Sequence, residues 1–458
     1  MRMSDAEAVM WAVEKDPALR SDFCNLTLLD TAPEEKRLRA TCERALTAIP
    51  RLRQRVVPAP LRIVPPEYRD DPDFDLDYHL RRVAVPSPGD HRALLDLCEQ
   101  IAEAPFDRSR PLWEFTLVEG LAGGRAAFVQ KVHHTISDGV GGLRLSLALL
   151  DTGRDPGRVS PADVPPLDPG SRHPAALLRD AVVDAIGRAG HAAHALAVGA
   201  AGTVTHPTRV PSYAVDVARA IASISRQGIV TDRARSDVMT DRSLRIHLAT
   251  MALPMPAVKR AARSLGGTVN DLFVTGIAAA LGRYHARHGS SVDTLRMAMP
   301  VSTRRSHDVA ANRFAPARTL VPIQPADDPL TLFTTVRERL RVAKQEPALQ
   351  LVEGLAGVVS GLPTALLVAF TRNQARTIDF AASDLRGSPQ PLYLAGARIE
   401  QNFPFGPRAG TALNVSTLGY CETLGLGFNI DPAAVTDVDG LLVDVERAFD
   451  ALLGTRVG

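Results

Sequence analysis

Two adjacent histidines, His133 and His134, followed after three residues by Asp138 and Gly139, are the side chains of this sequence best suited to acid–base chemistry. An unperturbed imidazole titrates near pH 6.5, so in its neutral form it can take a proton from an alcohol under physiological conditions. The pair ends a β-like run within AAFVQKVHHTISDGVGGLRLSLALL, residues 126–150, and precedes a short loop and an apolar helix. Successive side chains of a strand point to opposite faces, so the two histidines cannot share one cavity if strand geometry persists through them. One is placed to react and the other to pack. Two plainer readings stand beside this one. Adjacent histidines can end a strand and serve only as hydrogen-bonding groups. A metal site would need a third ligand nearby, and the one near candidate, Asp138, serves equally well as the N-cap of the following helix. No G-x-S-x-G elbow that would present a nucleophilic serine occurs in the sequence.

The rest of the chain must hold these groups in place, and its composition limits how. At 458 residues with 45% hydrophobic and 23% charged residues, it has the length for two or more cores and the make-up of an ordinary folded protein. A net charge of +2 supplies no field that would gather nucleic acid. The cysteines, Cys24, Cys42, Cys98 and Cys421, form no C-x-x-C pair, which argues against a zinc or redox motif and fits a reducing cytoplasm. The first residues, MRMSDAEAVMWAVEKDP, are charged and lack the apolar core of an export signal. Leu351 to Phe370 has the length of a membrane span, but Glu353, three glycines and Pro363 argue for a broken buried or interfacial helix pair. Such a surface either packs in the core or gives a lipid its way in.

Strand and helix signals are mixed from end to end, which predicts an α/β or α+β protein. Ser4 with Glu7 predicts a capping box at the first helix, ended by Asp16-Pro17. Residues 151–174 hold six prolines among many aspartates and read as an interdomain connection, continued by alanine-rich helices to about residue 225. A second domain opens with the strand-like RIHLATMALP and a helix over 270–288 closed by Gly289. Leu441, Val445, Phe449 and Leu452 fall at helical spacing near the carboxyl end. The expected division is 1–155, a linker over 156–240, and 241–458.

The full spacing H-H-x-x-x-D-G resembles the signature of the coenzyme A-dependent acyltransferase superfamily. Within it the chain is similar to the bacterial wax ester synthase/diacylglycerol acyltransferase family over nearly its whole length. Phe74-Asp75-Leu76 with His79, Arg110-Pro111-Leu112-Trp113-Glu114, Gly267-Thr268-Val269-Asn270-Asp271, Pro300-Val301-Ser302-Thr303-Arg304 and Pro391-Leu392-Tyr393-Leu394-Ala395-Gly396 occur in that family's order. Together they are specific, whereas each alone would be weak. Three pairs depart from the pattern: Ala311-Asn312 where Gly-Asn is usual, Ser383-Asp384 where Ser-Asn is usual, and Gly419-Tyr420 where Ser-Tyr is usual. They put the acceptor preference in question and leave the histidines and Asp138 untouched.

The resemblance implies two chloramphenicol-acetyltransferase-like domains, each a mixed sheet flanked by helices, forming a pseudo-dimer with a tunnel between them. It implies transfer of a long-chain acyl group from acyl-CoA, as co-substrate, to diacylglycerol or a long-chain alcohol. No tightly bound cofactor, metal or nucleic acid is expected. His134 would be the general base, with His133 beside it. Asp138 would hold the loop through an arginine, for which Arg304 is the candidate, and Gly139 would leave room in the channel. Asn270 would either donate to the developing oxyanion or cap the helix that begins there. Asp271 belongs with them as a substrate-binding or structural residue, and Pro111, Leu112 and Trp113 read as scaffold. A cytoplasmic protein in peripheral contact with the inner membrane or lipid droplets is the matching location.

Overall fold

The computed structural model describes residues 2–59, 64–136, 145–155, 183, 233–302, 314–325, 328–345 and 363–454. Helix α1 (Asp5–Val13) starts at the expected capping box, with the Glu7 amide donating to Ser4 Oγ at 3.2 Å and the Ser4 amide to Glu7 Oε2 at 2.7 Å. The Asp16 carboxylate then accepts from the Ala18 amide and turns the chain into strand β1 (Asp22–Leu29). Helix α2 (Glu35–Ala48), strands β2 (Gln54–Val57) and β3 (Glu67–Asp70), helix α3 (Leu76–His79) and strand β4 (Leu80–Ala84) follow. Helix α4 (His91–Glu103) leads to strands β5 (Trp113–Glu119), β6 (Ala126–His133) and β7 (Leu150–Asp151).

The second half runs from strand β8 (His247–Pro254) through helices α5 (Met255–Ser264) and α6 (Val269–Arg287) to strands β9 (Thr294–Ser302) and β10 (Phe314–Pro322). After helices α7 (Pro329–Lys344) and α8 (Thr364–Ala375) come strands β11 (Phe380–Leu385), β12 (Tyr393–Leu394), β13 (Ala397–Phe405), β14 (Leu413–Tyr420) and β15 (Thr423–Ile430). Helix α9 (Val438–Gly454) ends the described chain and buries Leu441, Val445, Phe449 and Leu452, the predicted stripe.

Two mixed sheets result, ordered β4-β5-β6-β1-β13-β12-β7 and β10-β9-β11-β14-β15-β8. In the first, alternation along β1 and β6 separates two cores. Cys24, Leu26, Leu28, Ala127 and Val129 pack against Leu94, Leu95 and Cys98 of α4. Leu29, Phe128 and Val132 face the other way, into a core shared with Leu38, Cys42 and Ala45 of α2. In the second half α6 is buried almost all round, and its Gly276 lies where a Cβ would come within 2.5 Å of the Phe449 ring of α9.

Strands β12 and β13, far into the second half, belong to the first sheet. Strand β13 pairs antiparallel with β1, Cys24 opposite Phe405 and Thr27 opposite Asn402. The alternation in ARIEQNFPF marks a strand, but pairing across more than 370 residues leaves no local trace in sequence. Gly425 and Gly427 of β15 let the sheets approach backbone to backbone. A Cβ at either would sit 2.3 Å from the Asn402 carbonyl oxygen or 2.0 Å from that of Pro404.

The predicted linker, 156–240, lies outside the described residues except at 183 and 233–240. Of the apolar run 351–370 only 363–370 is described, and α8 begins directly after Pro363, as the proline predicts. Among the described residues no single helix is long and apolar enough to cross a membrane. The pair α5 and α6 passes by length and composition but is bent by 92°, and α6 is a core helix.

Candidate active site

The histidines sit where β6 leaves the sheet. The His133 amide donates to the Leu112 carbonyl at 3.0 Å and the His134 amide to the Ser21 carbonyl at 3.1 Å, so neighbouring segments on both sides hold the turn. The Ile136 amide closes it on the His133 carbonyl at 2.9 Å. The two side chains fall on opposite faces, as strand geometry requires. His133 is buried, on the same face as Lys131 and the register partner of Asp22. The Thr135 amide donates to its Nδ1 at 3.1 Å, which leaves the proton on Nε2, and Nε2 donates to Glu14 Oε1 at 2.6 Å. Burial pushes the Glu14 carboxyl up. The hydrogen bond from His133, with help from the Ser21 amide and Arg108, outweighs this and holds the group below its ordinary range.

His134 falls on the opposite face, in the row Gln130, Val132, His134. It is half-buried, with its ring 4.9 Å from that of Phe23. The turn beneath it is fastened further: the Thr135 carbonyl accepts from Arg51 Nη1 and from the Tyr68 hydroxyl, each at 2.9 Å, and Arg51 pairs with Glu7 at 2.8 Å. These fasteners, Glu14, Ser21, Arg51 and Tyr68, were not found from sequence. Each is an ordinary residue in its own segment and becomes part of the site only when α1, β1 and β3 converge on β6.

Pro111-Leu112-Trp113 forms the scaffold expected of it. Besides the Leu112 carbonyl that holds His133, Trp113 Nε1 donates to the Leu52 carbonyl at 2.7 Å and its ring stacks on His79, 4.5 Å away. His79 is fully buried between Trp113 and Phe74 and donates from Nδ1 to the Trp113 carbonyl. Burial pushes its pKa down to about 4.

The start of α6 corrects one alternative for Asn270. The N-cap is Thr268, in a capping box with Asp271: the Asp271 amide donates to Thr268 Oγ1 at 3.2 Å, and the Thr268 amide to Asp271 Oδ2 at 2.9 Å. Asp271 is thereby engaged in the cap. Asn270, one turn position inside, has a buried Nδ2 with no hydrogen-bond partner among the described residues. An amide N–H at the positive end of a long helix is suited to a developing negative charge.

Asp138, Gly139 and Arg304, and Ala311-Asn312, lie outside the described residues. Of the other departures, Ser383 Oγ donates to Ser416 Oγ at 2.8 Å and Asp384 accepts from the Thr417 hydroxyl at 2.9 Å. Tyr420 ties β14 to the first sheet, donating to the Ile399 carbonyl and accepting from the Leu392 amide. Among the described residues no three His, Cys, Asp or Glu side chains gather as a metal site. A cavity of about 270 Å³ opens at the junction of the two halves, between Arg20, Asp22 and Glu103 on one side and Arg242, Arg408 and Asp431 on the other.

Residues 3–273 match the wax ester synthase/diacylglycerol acyltransferase catalytic domain, and residues 310–453 match that family's C-terminal domain. The chain belongs to the wax ester synthase/diacylglycerol acyltransferase family. It is an acyltransferase. A Mycobacterium tuberculosis protein, provisionally named a diacylglycerol O-acyltransferase, is 34% identical over 470 residues, covering 100% of this chain and 93% of the relative. Another from that organism, named in the same way, is 30% identical over 423 residues, covering 88% and 86%. The wax ester synthase/diacylglycerol acyltransferase of Marinobacter aquaeolei shares the fold at a TM-score of 0.63 and 20% identity, covering 99% of this chain and 98% of its own. The first condensation domain of the calcium-dependent antibiotic synthetase does so at 0.60 and 17%, covering 99% and 96%. A starter condensation domain of rhizomide synthetase, solved with C8-CoA, follows at 0.59 and 14%, covering 99% and 93%.

Proposed function

We propose that this enzyme transfers a long-chain acyl group from acyl-CoA directly to the hydroxyl of diacylglycerol or a long-chain alcohol, giving triacylglycerol or wax ester. His134 takes the hydroxyl proton as the oxygen attacks the thioester carbonyl. The tetrahedral intermediate then expels the coenzyme A thiolate, which recovers that proton as the thiol. Asn270 donates to the oxyanion in between, Asp138 and Arg304 hold the loop, and Gly139 leaves the channel open. The observation that carries this reading is the asymmetry of the pair. His133 is spent on Glu14 and Thr135 on one face, while His134 lies on the opposite face, half-buried, with its ring beside Phe23. The activities for which the family and its relative are named support the substrates, and a fold neighbour solved with C8-CoA supports the donor. Peripheral contact with a lipid surface accompanies the reading, supported by Leu366 and Phe370 standing exposed on α8.

The test is an acyl-CoA assay against diacylglycerol, a long-chain alcohol and an amine. The wild type is expected to esterify the first two, and His134→Ala to lose at least about a hundredfold in rate. A folded His134→Ala protein with undiminished rate would remove His134 as the base. Faster transfer to the amine would replace the acceptor class.

A further inference from the structure

Strands β6, β1 and β13 are the middle strands of a seven-stranded sheet, where both faces are normally covered by apolar side chains. On the face that carries Phe23 and His134 they bear, among the apolar Leu29, Phe128 and Val132, a ladder of neutral polar groups. Asn25 lies opposite Gln130 and Thr27 opposite Asn402. Asn25 Nδ2 donates to Gln130 Oε1 and to Thr27 Oγ1, each at 3.2 Å, and Thr27 Oγ1 reaches Asn402 Oδ1 at 3.4 Å. Asn25, Gln130 and Asn402 are only half-buried, while Thr27 between them is buried, so the described residues leave this face partly open there. Their remaining groups, Asn25 Oδ1, Gln130 Nε2 and Asn402 Nδ2, take no protein partner among the described residues.

Gln130 and His134 are four residues apart on one row, roughly 14 Å at about 3.4 Å per residue. A fully extended chain gains about 3.5 Å for every three bonds, so the ladder stands about a dozen bonds from the reacting carbon, or fewer once side-chain reach is counted. The two proposed substrates differ sharply at that distance. Beyond its ester groups diacylglycerol is hydrocarbon, and so is a long-chain alcohol beyond its hydroxyl. The arm of coenzyme A carries two amides and a hydroxyl within that span and bears no charge until its phosphates. Neutral donors and acceptors suit such an arm and penalise a hydrocarbon chain, which would leave them desolvated and unpaired.

We infer that the ladder Asn25–Gln130–Thr27–Asn402 binds the amide- and hydroxyl-bearing arm of the acyl donor, and so sets which side of His134 the thioester enters from. This rests on acyl-CoA being the donor. The test compares a long-chain acyl-CoA with the N-acetylcysteamine thioester of the same acid, which lacks the outer arm. Wild-type enzyme is expected to prefer the full donor. In Gln130→Ala and Asn25→Ala that preference, as a ratio of kcat/KM, falls about tenfold, through the KM for acyl-CoA with kcat little changed. Gln130→Glu keeps the shape while removing the amide donor, and lowers the ratio in a protein that melts like the wild type. An unchanged ratio in all three variants, or a wild type indifferent to the missing arm, overturns the inference while leaving acyl transfer standing. A wild type that accepts neither thioester overturns the proposed function itself.

Discussion

His133 and His79 are both buried imidazoles held by protein groups. His133 is held by Glu14 and the Thr135 amide, His79 by Trp113 and Phe74. The second arrangement has a consequence for stability. The folded value for His79, about 4, lies below the 6.5 of the free side chain. Between these values the unfolded chain binds a proton that the folded chain refuses. The contribution is therefore complete above pH 6.5 and drains away as the pH falls toward 4. At about 1.4 kcal/mol per pH unit this amounts to about 3 kcal/mol. Urea unfolding at pH 7 and pH 4.5 should show a distinctly smaller acid loss in His79→Gln than in the wild type; equal losses would mean that His79 is protonated in the fold.

Helix α6 shows how one short motif divides its labour. In Gly267-Thr268-Val269-Asn270-Asp271 the glycine gives way to the Phe333 ring, which would lie 2.5 Å from a Cβ, and Thr268 and Asp271 cap each other. Asn270 takes no part in the cap. Thr268→Ala is expected to cost about 1 kcal/mol and to lower kcat as the first turn frays under Asn270, whereas Thr268→Ser should retain both. A melting temperature and rate that do not respond to the alanine would detach the cap from the chemistry. The capping box at Ser4, the stripe of α9 and the run into the histidines could all be read in sequence, because each is written within one or two turns or one strand. Helix α6 is legible to within a residue, but of the two roles open to Asn270 the cap falls to Thr268, since both residues carry capping groups and only the backbone decides. Glu14 and the ladder on β1 could not be read at all. They depend on strands brought together from opposite ends of the chain, and Asn25 or Gln130 alone is an unremarked polar residue in a strand.

The two halves of the molecule are joined less by a surface than by shared backbone. Strand β13 lies in one sheet while its neighbour β15 lies in the other, and Gly425 and Gly427 bring them together at distances a side chain would forbid. Gly427→Val should wedge them apart. A loss of about 1–3 kcal/mol is expected from the overpacking, with a fall in rate beyond what stability explains, because β13 carries Asn402 and flanks the strand that anchors His134. If calorimetry gave the variant an unaltered transition, the close approach would not be the joint between the halves.

Because β13 completes the first sheet, a ribosome must emit the chain as far as Phe405 before His134 rests on a finished platform. Until then β1 presents a bare edge, open to pairing with any passing strand. A protein made in this order gains its activity late and all at once, so prematurely terminated products would carry the histidine motif without becoming stray enzymes.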